Sequence, residues 1–157
     1  MEEKIYLTKE GLEKAKKEYQ ELKKLKKEKT KEEAPKIFHS DELDPEYLVF
    51  REDFGFIESR INELEHILKN YQLIKPPPKS QQNIVQVGAT VTLEEKDGSI
   101  NEFTIVGSLE ANPNEGKISH LSPVGKALLG KKLGEEVIIT SPIRIVYKIK
   151  KIRYFIH

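Results

Sequence analysis

In the first half of the chain, Leu43, Tyr47, Phe50, Phe54, Ile57, Ile61, Leu64, Leu68 and Tyr71 follow one another at alternating steps of four and three. A 3.5-residue repeat kept up for about four heptads is the seam of a coiled coil, because it holds one narrow stripe against a partner helix. Upstream, Leu12, Ala15, Tyr19 and Leu22 begin a matching stripe, with Leu25 at its flank. That stripe fades after Lys26, where lysine and glutamate dominate, and returns near Ala34, Ile37 and Phe38. Thr8 is placed to cap the first helix with its hydroxyl. Pro35 is expected to bend or interrupt the helix, since it lacks an N–H and crowds the preceding turn. Residues 39–45 read as a turn, with Asp44 as the cap and Pro45 as the first residue of the second helix.

The pattern changes at Lys75-Pro76-Pro77-Pro78-Lys79-Ser80-Gln81-Gln82-Asn83. Consecutive prolines favour an extended, helix-stopping backbone, and the polar residues after them complete a linker over 76–83. Beyond it the period drops to two: Val85, Val87, Ala89, Val91 and Leu93 alternate as in a strand. Asp97-Gly98 marks a tight hairpin turn, and residues 100–106 read as the returning strand. A loop over 112–116 precedes a short strand at 117–119. Ser122-Pro123 reads as a cap and first helical residue for a short helix over 124–129 that ends at Gly130. Residues 137–139 and 143–154 supply the last strands. The fold class that follows is α+β: an antiparallel helical hairpin over 1–75, then a β-sheet domain with one short helix over 84–157.

Helices of about thirty residues span about 45 Å, whereas a domain of about seventy residues has a gyration radius near 11 Å, roughly. The hairpin is therefore expected to project and to present its connection, near residues 39–47, as a tip. Composition suits such a shape, with 34% charged and only 37% apolar residues. The net charge of +1 argues against bulk electrostatic binding to naked nucleic acid. Charge is nonetheless uneven: acids crowd 41–58, while Lys23, Lys24, Lys26, Lys27, Lys29 and Lys31 cluster on the first helix. Those lysines suit phosphates, or equally a solvated face paired with Glu28 and Glu32. With no cysteine, there is neither a disulfide nor a thiolate metal site, and the four histidines show no metal-ligand spacing. No apolar run approaches membrane length, so a cytoplasmic protein with no membrane partner is expected.

The run Ile118-Ser119-His120-Leu121-Ser122-Pro123-Val124-Gly125-Lys126-Ala127-Leu128-Leu129-Gly130, continued to Val137, resembles the C-terminal signature of the bacterial GreA/GreB transcript-cleavage factors. Tyr6-Leu7-Thr8 with Gly11-Leu12-Glu13-Lys14 is similar to the opening of their coiled coil. Val87–Val91 and Phe103–Gly107 are similar to the first strands of their second domain. The resemblance covers nearly the whole chain. It implies a coiled-coil domain and an FKBP-like domain that docks at the secondary channel of RNA polymerase, with the coiled coil inserted toward the active centre. It also implies polymerase contact through Ser119, Leu121, Ser122 and Pro123; family members often carry Asp or Asn where Leu121 stands.

The tip departs from the family motif, Gly-Asp-Leu-x-Glu-Asn-x-Glu-Tyr. Aligned on Glu46-Tyr47 without a gap, Ser40 and Leu43 fall where the two working acids belong. The acids present are Asp41, Glu42 and Asp44, and Asp41 and Asp44 keep the three-residue spacing. Phosphodiester hydrolysis is helped by two metal ions, and Mg²⁺ takes carboxylate, phosphate and water oxygens. The expectation is that Asp41 and Asp44 hold a second Mg²⁺ only in complex with polymerase, beside the nascent RNA 3′ end. Glu42 is then a reserve ligand or general base. The free chain is expected to be a monomer that binds no cofactor stably. Two alternatives stay open. One is a Gre-like regulator that occupies the same channel and inhibits without promoting cleavage. The other is a prolyl isomerase or chaperone, for which Phe103, Tyr147, Tyr154 and Phe155 offer few pocket aromatics.

Overall fold

The structure is a computed structural model that describes residues 4–37, 45–140 and 143–155, with side chains outside 32–48. Contacts divide it into two compact units, Met1–Gly11 with Tyr71–His157, and Leu12–Asn70.

The helical unit is made of α1 (Lys9–Ile37) and α2 (Pro45–Asn70). Its buried side chains, Leu12, Ile57, Ile61, Leu64 and Ile67, lie at the spacing of a seam. Ile67 takes the place read for Leu68, and α2 ends at Asn70, so Tyr71 leaves the seam for a strand. Polar pairs across the helices fix their sense. The Tyr19 hydroxyl donates to Glu65, Arg60 clamps Glu18, Lys26 meets Glu58 at 3.7 Å and Lys29 meets Asp53 at 3.4 Å. From Tyr19–Glu65 through Lys26–Glu58 to Lys29–Asp53 the partners descend along α2 as they ascend along α1; the helices are antiparallel.

Two expectations for α1 are corrected. The helix runs through Pro35 to Ile37. Pro35 stands near its C-terminal end, where a missing N–H removes one bond and interrupts little. Nor does the seam stop at Lys26. Ala15, Tyr19, Leu22, Lys26 and Lys29 are all half-buried at steps of four and three. Lys26 Nζ lies over the Phe54 ring at 5.7 Å from its centroid, and Lys29 Nζ over Phe50 at 5.8 Å. The lysine stems thus fill apolar positions while their ammonium groups meet a ring face and a carboxylate.

In the other unit, β1 (Ile5–Leu7) pairs in parallel with β2 (Tyr71–Leu73), Ile5 opposite Tyr71 and Leu7 opposite Leu73. A five-stranded sheet follows in the order β5-β4-β3-β7-β6. Its members are β3 (Ala89–Glu95), β4 (Ile100–Val106), β5 (Lys117–Ser119), β6 (Glu136–Ile139) and β7 (Ile145–Tyr154). The pairs are antiparallel except β4 with β5, which is parallel. Val85, Val91, Leu93, Ile105, Leu128, Val137 and Ile149 form the core, and α3 (Pro123–Leu128) brings Leu128 to it. Thr90, buried on β3, has its hydroxyl paired with that of Thr104 at 2.9 Å, so no polar atom is stranded there. The turn read at Asp97-Gly98 is present, with Gly98 at φ +91°. The α+β class stands: a helical hairpin, then a mixed β-sheet domain with one short helix among the described residues.

The strand begins at Ala89, later than the alternation from Ile84 suggests. Val85 is buried as that alternation requires, yet its amide and carbonyl bond to Lys131 and Gly130 outside the sheet. Ile143 is exposed and precedes β7.

Removing the fully buried Leu64 side chain leaves a cavity in the seam. Leu64→Ala should cost about 3 kcal/mol, read as a lower urea midpoint by circular dichroism at 222 nm. Leu25→Ala, at a position 40% exposed, should stay within about 0.5 kcal/mol of the parent. The Arg60 clamp has its own signature. Arg60 Nε and Nη2 donate to the two Glu18 oxygens at 2.7 and 3.1 Å, and this guanidinium holds the Glu18 carboxyl below the ordinary carboxylate range. A lowered folded pKa stabilises above the unfolded value and is lost as pH falls through the folded one. Because both groups are half-exposed, the pair contributes up to about 1 kcal/mol. The urea midpoint of Arg60→Ala should therefore trail the parent at pH 7 and approach it as the pH is lowered below the ordinary glutamate range.

Candidate functional site

Ser119, Leu121, Ser122 and Pro123 come together on the turn between β5 and α3. Ser119 ends β5, and its carbonyl accepts from the Ser122 amide at 3.0 Å and from the Ser122 hydroxyl at 2.7 Å. The Ser122 hydroxyl accepts in turn from the Gly125 amide at 3.0 Å, which makes it the N-cap of α3. Pro123 occupies the opening helical position, where its missing N–H costs nothing, and its ring is exposed. Leu121 is half-buried, and its amide donates to the Ser119 hydroxyl at 3.1 Å. Gly125 is buried, and a Cβ there would lie 2.2 Å from the Ser119 carbonyl oxygen. The turn closes this tightly because position 125 has no side chain.

Next to this turn lies a second segment that sequence reading missed. The 3-10 turn Ser108–Glu110 places the Ser108 hydroxyl 2.8 Å from that of Ser119. At its other end, Glu110 accepts from the Thr8 amide at 2.8 Å and the Thr8 hydroxyl at 2.5 Å. Thr8 caps α1 as expected, accepting from the Gly11 amide at 3.0 Å. The Tyr6 ring meets His120 edge-on, with centroids 4.9 Å apart. Thr8 was legible as a cap; nothing in spacing or motif marks Ser108 or Glu110, whose partners are 11 and 102 positions away.

Of the clustered lysines, Lys26 and Lys29 are turned against α2, and Lys23 lies over the Tyr19 ring at 5.1 Å. The cluster is thus not one uniform phosphate-facing surface. Asp41, Glu42 and Asp44 lie outside the described residues. Among the described residues no group of three His, Cys, Asp or Glu could hold a metal ion, and no helix is long and apolar enough to cross a membrane.

The family model described as transcription elongation factor, N-terminal, matches residues 5–73, and that described as transcription elongation factor, GreA/GreB, C-term, matches residues 80–154. The chain belongs to the GreA/GreB family of transcription elongation factors. Transcription elongation factor GreA of Thermomicrobium roseum is 42% identical over 149 residues, covering 89% of this chain and 90% of that relative. GreA of Bacillus subtilis is 39% identical over 145 residues, covering 90% and 91%. The crystal structure of GreA factor homolog 1 of Thermus thermophilus is 27% identical and covers 96% of this chain and 99% of that one, at a TM-score of 0.43. The sequence matches alone carry the assignment.

In this GreA/GreB chain the β5–α3 turn depends on one cap and one close approach. Ser122→Ala should lower stability by about 1 kcal/mol, the usual loss of an N-cap. Alanine favours helix over glycine by about 1 kcal/mol, yet Gly125→Ala should destabilise more than Ser122→Ala, because a backbone carbonyl must shift. Urea midpoints of the two variants, measured side by side, check this order.

Proposed function

We propose that this elongation factor binds RNA polymerase at its secondary channel and stimulates the polymerase's own hydrolysis of backtracked nascent RNA. It acts as a monomeric accessory rather than as an enzyme, in the cytoplasm. What supports this reading is family membership over both segments of the chain, joined to the sequence position of Asp41, Glu42 and Asp44 between the end of α1 at Ile37 and the start of α2 at Pro45.

Three carboxylates within four positions are the right donors for Mg²⁺, a hard cation that prefers oxygen ligands. They are too few to enclose it, so polymerase carboxylates and RNA phosphates would complete the set. Asp41 and Asp44 would hold the ion, with Glu42 as reserve ligand or general base. When bound, Mg²⁺ supplies activation of water and neutralisation of charge at the leaving oxygen. The exposed Pro123 ring with Ser119, Leu121 and Ser122 forms the surface proposed to meet polymerase. A half-buried Leu121 gives that contact an apolar element.

A second reading is favoured by one feature: ungapped alignment on Glu46-Tyr47 puts Ser40 and Leu43, not acids, at the motif's two acidic positions. On that reading the chain occupies the channel and competes with cleavage factors. Stalled elongation complexes with backtracked RNA separate the two. The parent should shorten the RNA in the presence of Mg²⁺. Asp41→Ala combined with Asp44→Ala should slow this by at least about tenfold, the scale on which even outer partners of a metal site matter, while still displacing the parent from polymerase. A parent chain that leaves the RNA intact yet blocks an active cleavage factor supports the second reading.

A further inference from the structure

We propose that Glu110 is a positioning residue for the helical arm. Its carboxylate, seated on Thr8 against Gly11, ties the root of α1 to the 3-10 turn that also reaches the partner-binding stretch. All the residues concerned lie within the one unit formed by Met1–Gly11 and Tyr71–His157, and the inference rests on the functional reading above.

Three observations converge on it. First, Glu110 uses both oxygens on the same residue: one accepts from the Thr8 amide, the other from the Thr8 hydroxyl. That hydroxyl in turn accepts from the Gly11 amide. The chain of bonds thus runs from Glu110 through the N-cap into the first turn of α1, where a negative charge also meets the positive end of the helix dipole. Second, Gly11 makes room for the carboxylate. A Cβ at position 11 would lie 2.5 Å from Glu110 Oε1 and 2.6 Å from its carboxyl carbon. Glycine is a poor helix former, so its presence in the first turn calls for a local reason, and the seated carboxylate supplies one. Third, Ser108, at the other end of the same turn, meets Ser119. Three residues therefore connect the surface proposed to grip polymerase with the start of the helix that leads to Asp41, Glu42 and Asp44. A displaced root shifts whatever the helix carries, and small misplacements of reacting groups are costly in rate.

Gly11→Ala separates positioning from mere helix stability because the two readings differ in sign. Alanine strengthens the helix but evicts the carboxylate, a flexible side-chain end that moves away easily. Stability alone therefore predicts an unchanged or faster factor, and positioning predicts a slower one. In the RNA-shortening assay with full-length protein, Gly11→Ala and Glu110→Ala should each lower the maximal rate by about tenfold or more. The half-saturating concentration should stay within about twofold, since the surface that meets polymerase is untouched. The double variant should be no slower than Glu110→Ala alone, because both remove one and the same contact. A parental maximal rate for Gly11→Ala, or additive losses in the double variant, overturns the proposal.

If the parent itself does not promote cleavage, the functional reading fails, and the anchor is decided in the free protein. There the Thr8 amide should exchange its hydrogen about tenfold faster or more in Glu110→Ala than in the parent. Unchanged exchange at Thr8 overturns the anchor whatever polymerase does.

Discussion

The parallel backbone pairing of β1 with β2 is the contact on which the rest of the chain depends. Parallel strands cannot be joined by a tight turn, because the chain must first travel back to its starting end. Here residues 8–70 make that journey, so the two helices are in effect the crossover connection of a two-stranded sheet. Consequently both ends of the hairpin are held in the β-rich unit. The Ile74 amide extends the pairing by donating to the Leu7 carbonyl at 2.8 Å. The buried Leu7 side chain adds an apolar anchor at the point where strand gives way to helix.

Between those ends the helices face a compositional problem. A seam needs side chains that prefer contact with each other over water, and only 37% of the chain is apolar. Lys26 and Lys29 resolve it by using the two ends of one side chain differently. Their methylene stems occupy seam positions, and their charges sit where Phe54 with Glu58 and Phe50 with Asp53 can receive them. Each such ring contact contributes about 0.5–1 kcal/mol when exposed. That is less than burying a leucine, which contributes about 1.5–3 kcal/mol, but it leaves a surface that remains compatible with water.

How far the sequence anticipates this structure depends on the range of the interactions involved. Features set by neighbours in the chain were legible: the caps at Thr8 and Ser122, the Asp97-Gly98 turn, the return strand over 100–106, and the helical character of both arms. The seam was legible up to Leu64; beyond it Ile67 rather than Leu68 is buried, in the last turn before α2 gives way to β2. The lysines misled because composition reports a charge but not where its stem lies. Glu110 could not be anticipated at all, its partner being 102 positions away. The short strand over 71–73 hid at the end of the helical repeat, because its identity comes from pairing with β1. The β5–α3 turn was readable as local structure and as a family signature together. For the acids of the connection, which stand off the family motif, the basis of the reading is the three-residue spacing of Asp41 and Asp44 and their position between the helices in the sequence.

Along the described part of the arms, the contacts between the helices change in kind. The buried seam residues, Ile57 to Ile67 on α2 and Leu12 on α1, lie toward the end where the helices join the strands. Toward the connection the contacts change to half-buried aromatics under lysines and to ion pairs at 3.4 and 3.7 Å. Pairs of this kind hold about 1 kcal/mol at most and weaken with salt, so among the described residues they add less than the apolar burial near the strands. The change runs in the direction that the proposed function requires. Carboxylates that complete a partner's metal site must adjust to ligands they do not control, whereas the root must transmit position faithfully. Apolar burial with a seated carboxylate at one end, and solvent-tolerant pairs at the other, meet those two demands within a single pair of helices.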